Sequence, residues 1–179
     1  MMRCNPIILA FAISVVPTFA HAAPTTTIDI GKITCQQYLA MEPALSSKFS
    51  AWMSGWFSYQ HRRTFVDSGL HQKNITDVKA WCQSNPGEGV MAGARKAIGS
   101  AAPAGATQDF NKITCGDWLG YGPEDSDFVR YFMSGYYNAA AGNRVLDYNR
   151  LQRNSRMVVT YCEKNKSRTL PTAIQKSAG

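Results

Sequence analysis

The stretch ITCQQYL at residues 33–39 decides the fold, because it returns as ITCGDWL at residues 113–119. The same shift of 80 carries Pro43 to Pro123, Cys82 to Cys162, and Met53, Ser54, Gly55 to Met133, Ser134, Gly135. It also carries Asp67, Asn85 and Lys96 to Asp147, Asn165 and Lys176. A repeat held in register over this length is an internal duplication of a unit of about eighty residues. Cys35 and Cys82 stand 47 apart, as do Cys115 and Cys162, so each copy is expected to close its own disulfide. On the chain-entropy account a loop of that length contributes about 4 kcal/mol, comparable with the whole stability of so small a unit.

Working outward from the repeat, residues 1–22 read as a signal peptide. Arg3 precedes an apolar run from Ile7 to Ala20, and Ala20, His21, Ala22 form a small-x-small cleavage site. Cys4 leaves with this leader, so four cysteines remain in an exported chain. An even count in an oxidising compartment favours disulfides over metal thiolates, and no pair has zinc-knuckle spacing. The predicted domains are module 1 over 23–98, a Gly/Ala/Pro linker at 99–108 (GSAAPAGATQ) and module 2 over 109–179. No later apolar stretch is long enough for a membrane helix, so no stable membrane insertion is expected.

Within a module, Thr34 with Gln37 forms a capping box that opens a short helix, ended by Glu42 and Pro43; Thr114 and Asp117 repeat it. Next, Phe49, Trp52, Met53, Trp56 and Phe57 fall on one helical stripe, matched by Val129, Phe132, Met133, Tyr136 and Tyr137. Gly55 and Gly135 interrupt these helices at a cost of about 1 kcal/mol each against alanine. Their recurrence fits either a close helix approach or a tolerated, inherited glycine. After a turn at Asp67 to Gly69, Asn74 with Asp77 starts a third helix with Ile75, Val78 and Cys82 inward. Asn85, Pro86 and Glu88 start a fourth, with Val90, Met91, Ala94 and Ile98 inward; in the second copy Pro171 predicts a late or bent start. No alternating strand stands out. The expected fold is all-α: two tandem four-to-five-helix bundles, each with one internal disulfide tying the first helix to the end of the third.

The side chains offer no catalytic constellation, no metal site and no cofactor motif. His61 and His71 have no counterparts at Ala141 and Leu151 and no ligand partners at useful spacing; His61, Arg62 and Arg63 read as a cationic helix C-terminus. Asn74, Ile75, Thr76 fits a glycosylation acceptor but reads as a helix start. Glu124, Asp125 and Asp127 read as acids facing a helix N-terminus. Nineteen Lys and Arg stand against 12 Asp and Glu; the leader removes Arg3 alone, leaving +6, shared as +3 per copy. Arg144, Arg150, Arg153 and Arg156 form the densest basic cluster, without the aromatic interleaving of a nucleic-acid groove.

ITCQQYL, then Ala51, Trp52, Met53, then Trp81, Cys82, Gln83, Ser84, Asn85, Pro86, resembles the HdeA/HdeB family of periplasmic acid-stress chaperones. Cys162, Glu163, Lys164, Asn165 and the residues after Thr169 resemble it again. The resemblance implies small helical proteins with one disulfide each, dimeric near neutral pH, that loosen in acid and hold unfolding periplasmic proteins on exposed apolar surface. It supports the pairs Cys35–Cys82 and Cys115–Cys162. It makes Trp52, Met53, Trp56, Phe57, Phe132, Met133, Tyr136 and Tyr137 the candidate interface and client-binding residues. One module per chain is the family pattern, so the second module here is a candidate intramolecular partner, alongside a homodimer.

Protonating all 12 carboxylates with His61 and His71 would take the charge to +20. Repulsion of that size predicts a loosened, client-binding state below about pH 3. The rival reading is a constitutively folded envelope module that binds one protein partner, as an inhibitor or immunity factor does.

Overall fold

The computed structural model describes residues 27–98 and 107–177. The predicted signal peptide and most of the predicted linker lie outside the described residues. The first half contains β1 (Thr27–Asp29), a 3-10 turn (Ile30–Lys32), α1 (Cys35–Leu39), α2 (Pro43–Gln60), β2 (Phe65–Asp67), α3 (Ser68–Ser84) and α4 (Val90–Ile98). The second contains β3 (Thr107–Asp109), α5 (Cys115–Gly120), α6 (Pro123–Ala140), β4 (Val145–Asp147), α7 (Tyr148–Lys164) and α8 (Leu170–Ser177). Four α-helices per half make the chain predominantly helical, as expected.

The caps explain why these elements start where they do. The Thr34 hydroxyl accepts the Gln37 N–H at 3.2 Å while Gln37 Oε1 accepts the Thr34 N–H at 3.0 Å, and Thr114 and Asp117 do the same at 3.1 and 2.9 Å. Pro43 and Pro123 occupy the first turns of α2 and α6, where a missing N–H costs nothing. Both long helices end alike. Arg62 donates its N–H to Tyr59 and Arg63 to Ser58, and Gly142 and Asn143 donate to Ala139 and Asn138, a Schellman closure that requires left-handed backbone at Arg62 (φ 53°) and Gly142 (φ 64°).

The structure corrects four expectations. α3 begins at Ser68, six residues before Asn74, because the Asp67 carboxylate caps it through the Leu70 N–H at 2.9 Å; Asn74 is instead buried. Asn85 ends α3 rather than opening α4: its side-chain NH2 donates to the Trp81 carbonyl at 2.8 Å, and Asn165 does the same to Tyr161. Pro171 does not delay the last helix, since α8 starts at Leu170 in register with Val90 of α4, and proline is accommodated in a first turn. Finally, short strands are present.

Those strands tie the halves together. β1 pairs antiparallel with β4, Ile28 opposite Leu146, and β2 pairs antiparallel with β3, Val66 opposite Gln108. Residues 107 and 108 of the predicted linker therefore belong to β3. The Ile30 N–H donates to the Arg144 carbonyl and the Phe110 N–H to the Thr64 carbonyl, extending both pairs symmetrically. Each half thus gives its first strand to the other, around a pseudo-two-fold axis of the kind an isologous dimer has.

α2 and α6 make the most extensive contact between elements in the molecule. An alanine Cβ at Gly55 would lie 1.9 Å from the Phe132 carbonyl oxygen, and one at Gly135 1.9 Å from that of Trp52. The two helix glycines mark the place where backbone meets backbone, which settles the choice between close approach and inherited tolerance. Two cores flank this crossing. The first takes Tyr131 and Leu146 from the second half, and the second takes partly buried Val66 from the first. The expected two tandem helical bundles with one disulfide each are present, and their halves pack together so that each contributes side chains to the other's core.

Candidate functional site

No group of three or more His, Cys, Asp or Glu side chains among the described residues is placed to hold a metal ion. Among those residues, no helix is long and apolar enough to cross a membrane. What the halves do build is an aromatic seam along the crossing of α2 and α6.

The candidate residues lie on or beside that seam. Trp52, Met53, Trp56, Phe57, Phe132 and Met133 are buried, while Tyr136 and Tyr137 are half-buried. Trp52 stacks on Trp56 at 5.2 Å, and Tyr59 meets Tyr136 edge-on across the halves at 5.2 Å. Phe110 reaches both Phe132 (5.6 Å) and Tyr136 (4.7 Å). Lys48 crosses the seam to Asp127 at 3.6 Å and lies over the Tyr131 ring. Being partly exposed, this ion pair contributes little. The apolar area beneath it dominates, at about 25 cal/mol per Å² buried.

Among the described residues, large exposed apolar side chains are few. Leu39, Tyr59, Leu119 and Met157 are dispersed, and Leu39 and Leu119 are equivalent positions of the two copies. The stripe is therefore buried in the folded state, Trp52, Met53, Trp56 and Phe57 in a core that Tyr131 and Leu146 of the other half help to close.

His71 contributes something the sequence reading missed. It lies on α3 with its ring edge-on to Phe128 of α6 at 4.8 Å, and its Nδ1 is 2.8 Å from the Ser54 hydroxyl. Only 8% of it is exposed. Burial lowers its pKa from the ordinary 6.5 to about 4, because a desolvated imidazolium is disfavoured. Its position opposite Leu151 in the repeat was the available signal: a polar residue in one copy where the other is apolar. On the surface, the Thr114 hydroxyl and N–H hold the Asp117 carboxyl below the usual carboxylate range.

Each half closes its own disulfide, Cys35–Cys82 and Cys115–Cys162, with Cα–Cα 4.8 Å in both. Each joins the first residue of the short helix to the last turn of the long third one. The Cys35 N–H donates to the Glu88 carbonyl and the Cys115 N–H to the Arg168 carbonyl, both at 2.7 Å, so the staple lies inside a hydrogen-bonded junction. Since neither bridge crosses between halves, the seam can open without breaking a covalent bond.

A model of the HdeA/HdeB family matches the chain twice, over residues 6–92 and 89–172. Searches of curated proteins and of solved structures give no significant match. With two family matches in tandem, one disulfide in each half and the helical repeat described above, the chain belongs to the HdeA/HdeB family as a duplicated, covalently fused pair.

Proposed function

We propose that this protein is a periplasmic acid-stress chaperone in which the α2–α6 seam is the client-binding surface, masked at neutral pH and released as the halves part. The family is one of acid-stress chaperones of the periplasm, which supports the general activity, and the predicted signal peptide suits that compartment. The observation that carries the seam assignment is the crossing itself: α2 and α6 meet backbone to backbone at Gly55 and Gly135, Trp52, Trp56, Phe132 and Met133 are buried on these two helices, and neither disulfide crosses between the halves.

Acid acts on this arrangement from several directions. His71 is neutral while folded and would gain a proton on exposure, so falling pH favours the open state. Asp117 loses the hydrogen-bonded advantage of its carboxylate as pH falls through its lowered pKa. The net charge climbs towards +20 as carboxylates are neutralised, and self-repulsion grows with it. Both disulfides survive acid and hold each half compact enough to close again. Clients are unfolding periplasmic proteins bound through apolar contact. No cofactor takes part, and the protein is not an enzyme in this reading.

The test takes oxidised protein from pH 7 to pH 2 while following near-UV circular dichroism, apolar-dye binding and suppression of client aggregation. The expected result is a joint loss of tertiary signal and gain of dye binding and suppression below about pH 3. An unchanged tertiary signal without suppression would instead assign the chain to a permanently folded, partner-binding module.

A further inference from the structure

The two copies differ in how well their cores are filled. In the second half a cavity of about 250 Å³ lies between α5, α6, α7 and α8. A pocket of only about 30 Å³ in the first half shares part of this lining, with Ser54, Ser58, Asp67, Leu70, His71 and Asn74 where the second half has Ser134, Asn138, Asp147, Arg150, Leu151 and Asn154, and Phe128 and Phe132 of α6 close it. At one lining position the fully buried Phe49 of the first half becomes the smaller Val129.

The polar chemistry changed along with the volume. In the first half the Tyr38 hydroxyl lies 2.8 Å from Ser50 Oγ, which donates to the Ser46 carbonyl at 2.7 Å, so Tyr38 donates and every proton is used. At the equivalent positions stand Trp118 and Arg130, both lining the cavity. An indole and a guanidinium are donors alone. Trp118 Nε1 and Arg130 Nε are both buried with no hydrogen-bond partner among the described residues, although Trp118 is only 4% exposed and Arg130 Nη1 reaches Asp127 at 2.9 Å. Arg150 adds a second guanidinium, donating to Asn138 Oδ1 at 3.3 Å. Asp147 is the one acidic side chain lining the cavity, and it accepts the Arg150 backbone N–H at 2.9 Å.

Two buried donors that lack an acceptor, two cations and walls of Val129, Met133, Val158 and Ile174 describe a site for an amphiphile with an anionic acceptor at one end. An apolar cavity of about 150 Å³ accepts benzene, so this one suits an apolar body of about eight carbons. We propose that the second half binds a small monocarboxylate, its carboxylate accepting from Trp118 Nε1 and Arg130 Nε beside Arg150 and its apolar body filling the cavity. Such binding belongs to the folded protein at neutral pH, and the cavity shares Met133 and Tyr137 with the seam.

The test titrates ¹⁵N-labelled, oxidised chain at pH 7 with sodium octanoate below its micelle point, and in parallel with octanol. Octanoate is expected to move the Trp118 indole N–H resonance downfield and to saturate, with octanol at least tenfold weaker. Val129→Phe, which restores the first copy's residue, should weaken octanoate at least tenfold with near-UV circular dichroism retained. If that variant does not fold, Arg130→Gln decides, and a comparable loss is expected. A Trp118 resonance that does not saturate, equal affinity for octanol, or undiminished octanoate binding in the folded variant overturns the proposal.

Discussion

Gly55 lies so close to the carbonyl oxygen of Phe132 that a methyl group on its α-carbon would fall 1.9 Å from it. In an isolated helix Gly→Ala is worth about 1 kcal/mol of added stability. At this crossing sterics win, and Gly55→Ala or Gly135→Ala is expected to cost about 2–3 kcal/mol through overpacking. Urea unfolding at pH 7 measures it. Because both substitutions wedge the same crossing, the double variant should cost less than the sum of the singles. A gain in stability in either single variant would show that the helices do not cross in contact.

His71 predicts a specific pH window. Its folded pKa of about 4 lies below the unfolded 6.5, so between those values the unfolded chain binds the extra proton and stability falls as pH falls. At about 1.4 kcal/mol per pH unit the full loss is about 3 kcal/mol, complete near pH 4. Replacing His71 by Leu, the residue at equivalent position 151, should shrink the difference in unfolding free energy between pH 7 and pH 4 by that amount. An identical difference in both proteins would remove His71 from the acid response.

The two Schellman closures allow a matched exchange. Arg62 adopts φ 53° where Gly142 adopts φ 64°, and left-handed backbone costs a residue with a Cβ about 1 kcal/mol. Arg62→Gly should therefore raise stability by up to about 1 kcal/mol and Gly142→Arg lower it by a similar amount. Thermal melts of the two variants check the sign.

Replacing Cys115 and Cys162 by Ser should destabilise the second half by up to about 4 kcal/mol on the chain-entropy account. Since the first core also uses Tyr131 and Leu146, the loss should spread to both halves and appear as one transition. Two separated transitions by calorimetry would mean that the halves unfold independently.

What was legible in the sequence was local. The Thr34 and Thr114 capping boxes, the aromatic stripe and the cysteine pairing each depend on residues within one copy, and the duplication displayed each twice. Most of what escaped reading depends on the other copy. Three-residue strands such as Thr27–Asp29 carry no period, and their pairing partner lies more than a hundred residues away. Phe128, which buries His71, falls where the first copy has Lys48, so the repeat gave no cue to it. Asp67, Ser68 and Gly69 have turn composition, yet the Asp67 carboxylate satisfies the Leu70 N–H and makes them a helix start. The cavity required weighing Phe49 against Val129 as volumes, which matching identities does not reveal.

The reciprocal loan of first strands leaves each half's set of contacts open to any copy of the other half. A chain reopened by acid and returned to neutrality at high concentration can accept its missing strand from a neighbour. The segment joining the halves then acts as a concentration gauge: closure within one molecule prevails while local strand density exceeds that of the surroundings, and crowding tips recovery towards linked rings and chains.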